Sequence, residues 1–325
     1  MTRDSTPRSG RFLPLVVVVV ALLCAVAVAA LALPGLRVQL DQWASTAVHL
    51  GSAPSDATPL DPGAFATGAC VAYAPTAGDN HKTVFLDAGH GGVDPGGVGT
   101  TSAGQQVDES TVNLSIELDA LALLRARGYR VVVSRTQDTT VVRLGPADLS
   151  GGVLSLQGSH DDVVARDECA NLAGADALVG IYMDAGGSTT AGSVTLYDTS
   201  RPFAAANTRL AGLLQTDVLA AMNSQGWQIP DDGTLPDSGF GSSVGDPSAG
   251  GLAAEAAAYD HLLLIGPAAP GYFATPSTMP GAVIEPLYLT DPFEASIAVS
   301  RSDQVVLAQG ITTAVEQFLA PTSRS

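Results

Sequence analysis

The side chains of this chain that could do hydrolytic or metal chemistry gather at a few places. The first is His90 in Thr83-Val84-Phe85-Leu86-Asp87-Ala88-Gly89-His90-Gly91-Gly92-Val93-Asp94-Pro95-Gly96-Gly97. An apolar, β-rich run ends in Asp-Ala-Gly, the histidine follows at once, and a Gly/Pro loop leads away. The carboxyl end of a strand is where open α/β sheets place their sites. Gly89, Gly91 and Gly92 put no side chain in the way of a metal or substrate approaching the ring. On the residues alone, His90 is either a ligand or part of a structural turn. Glu109, just ahead of a helix-like run, is by itself a first-turn carboxylate favoured by the helix dipole. Glu285 ends the apolar run Ala282-Val283-Ile284, where an unpaired carboxylate would be costly to bury. Tyr182 and Asp184 stand two apart on a strand-like segment, so their side chains point the same way.

The elements that must position these groups alternate along the chain. Residues 83–87, 129–134, 177–183, 193–197, 261–265 and 282–285 read as strands. Residues 110–127, 161–173, 202–223 and 302–318 read as helices, the first with Val112, Ile116, Ala120 and Leu124 at fourfold spacing and Gly128 as its stop. This alternation predicts an α/β sandwich with a mostly parallel twisted sheet. Residues 139–160 and 224–251 break the rhythm, and long irregular segments inside a domain are usually functional or disordered.

The wording of these segments is more specific than their periodicity. Leu86-Asp87-Ala88-Gly89-His90-Gly91-Gly92-Val93-Asp94-Pro95-Gly96 resembles the opening motif of the zinc-dependent N-acetylmuramoyl-L-alanine amidases (type 3 peptidoglycan amidases). Glu109-Ser110-Thr111-Val112-Asn113-Leu114 resembles their second zinc-binding segment, and the run from Ala282 to Glu294 resembles the late strand that delivers their catalytic glutamate. Arg166-Asp167-Glu168-Cys169-Ala170-Asn171 and Ala175-Asp176 also match. The resemblance implies a sheet with helices on both faces and one Zn2+. It implies hydrolysis of the amide between N-acetylmuramic acid and L-alanine in peptidoglycan. His90 and Glu109 would then be zinc ligands and Glu285 the base that later acts as acid. Arg135 would face the stem peptide's carboxylates, with a helix-capping or loop-bracing role as the alternative, and Glu294 would be solvated or paired. One position departs from the pattern: Tyr182 stands where the third ligand, a histidine, is expected, and Asp184 where an asparagine is expected. Three options follow. Asp184 completes a His-Glu-Asp set, Tyr182 ligates through its phenolic oxygen, or zinc is not bound tightly; His160 and His261 are more remote substitutes. In the last case the chain would be a catalytically silent amidase-like module that binds peptidoglycan or regulates a partner.

Composition sets the surroundings. Net charge is −17 with a pI near 4.4, which argues against a nucleic-acid partner. Residues 12–36 are uncharged and long enough to cross a bilayer, and Arg3, Arg8 and Arg11 precede them. The expectation is a cytoplasmic 1–11, a single-pass transmembrane helix over 12–36, a stalk over 37–80, and an extracytoplasmic catalytic domain over 81–320. A cleaved signal peptide and a secreted body is the alternative. Cys70 and Cys169 are the only cysteines beyond the apolar span, and an oxidising compartment lets them join.

Overall fold

The computed structural model describes residues 53–187, 190–239, 248 and 250–321. The expected membrane helix over 12–36 lies outside the described residues, and among those described no helix is long and apolar enough to cross a membrane. An eight-stranded sheet forms the centre. Its strands are β1 (Thr58–Pro59), β2 (Ala69–Tyr73), β3 (Thr83–Ala88), β4 (Arg130–Arg135), β5 (Ala177–Ile181), β6 (Ser193–Tyr197), β7 (Asp231–Pro236) and β8 (Gly281–Glu285). They lie in the order β1-β2-β4-β3-β5-β8-β6-β7. The central four, β4, β3, β5 and β8, are parallel. β2 joins β4 antiparallel, and β6 runs antiparallel to β8, with Val194 opposite Glu285. β6 and β7 are parallel to each other, so their carboxyl ends lie at the opposite edge of the sheet from those of β3, β5 and β8.

The helices are α1 (Glu109–Ala126), α2 (Leu156–Ala173), α3 (Ala204–Ser224), α4 (Leu252–Ala258), α5 (Pro292–Val299) and α6 (Arg301–Leu319). Strand alternation sorts the core into two layers. Val84, Leu86, Val131, Val133, Val179 and Ile181 pack beneath α1, α3 and α6. Phe85, Val132, Leu178 and Val283 face the other way, toward Ala165, Cys169 and Ala173 of α2. Ser155 caps α2 by accepting the Gly158 N–H at 3.1 Å, and Gly174 ends it in the left-handed conformation at φ 59°.

Three expectations about organisation need correction. The stalk does not run to residue 80: β1 and β2 belong to the sheet, and every residue of Ala69–Tyr73 is buried. Residues 261–265 are not a strand, because the N–H groups of Ile265 and Gly266 turn back onto the Leu262 carbonyl. The two irregular stretches also contain regular structure. The first holds a short hairpin (Leu149–Ser150 with Val153–Leu154) and the opening turn of α2, and the second holds β7.

Candidate functional site

His90 follows β3 directly, at φ 61°, a left-handed conformation uncommon outside glycine. Its Nδ1 pairs with Asp94 Oδ2 at 2.8 Å, within a turn closed by the Gly91 N–H on the Asp94 carbonyl. That bond leaves Nε2 facing Glu109 Oε2 at 3.4 Å. Glu109, the first residue of α1, is buried and held from three sides. Gly97 N–H donates to Oε2 at 2.7 Å, and Met183 N–H and Asn113 Nδ2 donate to Oε1 at 3.0 and 3.1 Å. Gly96 lets the loop press on both residues: a Cβ there would lie 2.6 Å from the His90 ring and 2.7 Å from Glu109 Oε2. Burial works against a charged imidazole, but the Asp94 hydrogen bond and the Glu109 charge outweigh it and raise the His90 pKa. Two ligands of one tetrahedral zinc stand about 3.3 Å apart, from bonds of about 2.0–2.1 Å. A carboxylate on the far imidazole nitrogen is the usual support of a metal-binding histidine. His90 and Glu109 therefore fit zinc.

The third position does not fit as tyrosine. The Tyr182 hydroxyl donates to Asp87 Oδ2 at 3.0 Å, and Asp87 Oδ1 pairs with Arg166 at 2.7 Å. Arg166, fully enclosed, also binds Asp162 and the Ala88 and His90 carbonyls. Burial, then the Asp87 charge, push the Tyr182 hydroxyl far above the ordinary phenol range, which opposes ligation as phenolate. Its ring occupies the space over Gly89, where a Cβ would come within 2.2 Å of it. The two remote histidines do not fill the gap. His160 Nε2 is bonded to the Tyr272 carbonyl at 2.8 Å, and His261 sits between Asp198 and Asp237. Among the described residues, the three-donor group whose atoms converge within 4.8 Å is Asp198, Asp237 and His261, so His90, Glu109 and Asp184 are not drawn to one point.

Asp184 is instead paired with Glu285. Glu285 ends β8, in the strand next to β5, and is hydrogen-bonded to Asp184. Burial, then the charges of Asp184 and Glu109, push its carboxyl up to about 8. The Asp184 backbone is held beside Tyr288, its N–H donating to the Leu287 carbonyl and its carbonyl accepting the Leu289 N–H, both at 2.9 Å. Glu294 is paired with backbone, accepting the N–H groups of Tyr288 and Gly192 at 2.6 and 2.9 Å, and burial pushes it up to about 7.

Arg135 is a correction to the substrate-binding expectation. The side chain is fully buried, and its guanidinium donates to the carbonyls of Ala88, Gly89, Ser110 and Gln137. It clamps the loop that carries His90 onto the start of α1, the bracing alternative. Cys70 and Cys169 are joined, with Cα atoms 5.5 Å apart, tying β2 to α2. Asp94, Gly96, Asn113 and the Asp87–Arg166 pair are the contributors that the sequence reading did not single out. Asp94 had one signal, its place four residues after His90.

A family model described as N-acetylmuramoyl-L-alanine amidase matches residues 84–317. The N-acetylmuramoyl-L-alanine amidase CwlM of Bacillus licheniformis is 30% identical over 106 residues, 33% of this chain and 33% of that protein. The chain thus aligns with about a third of the length of that relative. Among solved structures, the CwlD amidase of Clostridioides difficile, in complex with the GerS lipoprotein, has a TM-score of 0.52 at 19% identity, over 73% of this chain and 98% of that one. This likeness supports the fold alone. An N-acetylmuramoyl-L-alanine amidase from Clostridium difficile 630 has a TM-score of 0.49 at 24% identity, over 74% and 98%.

Proposed function

The chain belongs to the N-acetylmuramoyl-L-alanine amidase family, and from that premise we propose that it hydrolyses the amide between N-acetylmuramic acid and L-alanine in peptidoglycan. The observation that carries the reading is one of place. His90 and Glu285 end the parallel strands β3 and β8 on either side of β5, with Glu109 close enough to both to shift their titration. His90 and Glu109 would hold zinc. When bound there, the ion supplies Lewis acidity to the scissile carbonyl and acidifies a water. Asp94 fixes the His90 ring, and the Gly97, Met183 and Asn113 donors fix Glu109. Glu285, which a dication nearby would favour in its ionised form, would take a proton from the attacking water and return one to the leaving amine. Asp184, paired with Glu285, would have to leave that partner and move toward His90 and Glu109 to serve as a third ligand.

A second reading is favoured by one observation, the Tyr182 hydroxyl bonded to Asp87. With that position closed, the domain would bind peptidoglycan without cutting it. Digestion of purified muropeptides separates the two. The parent chain should release stem peptides, and Glu285→Gln should lower the rate by about 10² or more while keeping the fold. A parent that releases none, indistinguishable from the variant, would refute the enzymatic reading. The reading includes residues 12–36 as a membrane anchor that keeps the domain beside the wall, and a disulfide is at home in that oxidising space.

A further inference from the structure

A second group of metal-type donors lies at the other end of the sheet. Tyr197 and Pro236 are register partners at the ends of β6 and β7, and the Asp237 N–H donates to the Tyr197 carbonyl at 2.9 Å. The next residues, Asp198 and Asp237, therefore leave the sheet side by side. His261 comes to them from the turn after α4, its Nδ1 3.2 Å from Asp198 Oδ2 and 3.2 Å from Asp237 Oδ1. We propose that Asp198, Asp237 and His261 form a binding site for a first-row divalent cation such as Zn2+ or Mn2+, separate from the His90–Glu109 lobe.

Three features carry this. The first is spacing: two donors on one ion, at bonds of about 2.1 Å and angles between 90° and tetrahedral, stand about 3.0–3.4 Å apart. Both measured separations fall in that interval. The second is how the carboxylates are anchored. Asp198 Oδ1 accepts the Ser200 and Arg201 N–H groups at 2.8 and 2.7 Å, and Oδ2, which accepts the Ser200 hydroxyl at 2.9 Å, faces the histidine. Asp237 Oδ2 accepts the Leu262 N–H at 3.1 Å, and the carboxylate so held presents both oxygens to His261 Nδ1, Oδ1 at 3.2 Å and Oδ2 at 3.3 Å. Backbone support of this kind orients metal ligands. The third is charge. The two carboxylates are buried and the imidazole is about a quarter exposed, so the group is reached from the histidine's side. The nearby Arg201 gives its guanidinium to the carbonyls of Ile265, Gly266 and Ser277 rather than to either carboxylate. A dication would offset the two buried charges directly. One nitrogen and two carboxylate oxygens suit a borderline first-row ion better than a soft one. Binding would displace the Nδ1 proton to solvent and join β6, β7 and the turn after α4 into one unit.

The test uses the full-length chain carrying His90→Ala and Glu109→Ala, so that the other lobe is silent, stripped with a chelator and then equilibrated with Zn2+ or Mn2+. The expected result is about one retained ion per chain and a Tm that rises with metal concentration. Adding His261→Ala should weaken retention by about tenfold or more and remove the Tm response. Asp237→Asn, closer to the parent in shape, serves if the alanine variant does not fold. No retention of either metal by the double variant, or retention unchanged by both third substitutions, would overturn the proposal. Neither outcome depends on whether the chain is an amidase.

Discussion

Glu117 lies under the turn that presents His90 and provides a test of how that turn is held. It sits on α1, fully buried, and its Oε1 accepts the Ala88 N–H at 3.0 Å and the Ser134 N–H and hydroxyl at 3.3 Å. Its Oε2 has no hydrogen-bond partner. Burial raises the carboxyl from 4.5 to about 8, with Arg135 pulling it down and Asp87 pushing it further up. The unfolded carboxyl loses its proton near 4.5 while the folded one keeps it to about 8, so between these values the native state carries the extra proton. Stability therefore falls as pH rises through this window. At about 1.4 kcal/mol per pH unit, the group costs about 3 kcal/mol between pH 5 and pH 7.5. Glu117→Gln keeps the Oε1 acceptor and cannot ionise. Urea unfolding of parent and variant at both pH values, with the disulfide intact, measures the difference. The parent should lose about 3 kcal/mol more than the variant on going from pH 5 to pH 7.5, at similar m-values. Equal pH dependence of the two proteins would show that Glu117 is ionised in the native state and would refute the reasoning.

Two further outcomes are expected. Tyr182→His should raise zinc retention by at least about tenfold, read as metal content after dialysis, because an imidazole in place of the phenol restores the missing donor; metal content that stays near zero would favour the silent module. Replacing Cys70 and Cys169 by alanine should cost about 2–4 kcal/mol by denaturant unfolding, below the roughly 4.7 kcal/mol of the chain-entropy limit for a loop near 100 residues, and an unchanged midpoint would mean that the β2–α2 tie adds nothing.

The sequence carried the central elements because their chemistry is local. The apolar run into Asp-Ala-Gly-His is β3 and its turn, and the fourfold spacing of Val112, Ile116, Ala120 and Leu124 is the buried stripe of α1. What failed depended on distant partners. Nothing in Val133-Ser134-Arg135 says that the guanidinium will meet carbonyls from β3's end and α1's start rather than a substrate. The run Leu262-Leu263-Leu264 reads as a strand by composition, yet Pro267 and Pro270 follow it and Asp237 draws the Leu262 N–H aside. The stalk reading overran because only five residues, Ala69–Tyr73, carry the apolar signal of β2 amid polar turn formers. Tyr182 shows the same limit in the other direction. Its departure from the family pattern was plain, but the hydroxyl's partner, 95 residues earlier in the chain, was not.

The Cys70–Cys169 link also sets how tension would travel through the domain. A pull along the N-terminal chain meets the Asp56–Arg125 pair and then β1, where the sheet ends in a two-residue strand that can peel away one rung at a time. At Cys70 the covalent path divides, and the sulfur bridge carries the load straight into α2. Residues 71–168 become slack by comparison. His90, Glu109 and the Arg135 clamp lie inside that sheltered loop, whereas Asp184 and Glu285 lie on the loaded side of it. A domain pulled from its N-terminal side would keep the geometry of His90 and Glu109 and feel the strain at Asp184 and Glu285.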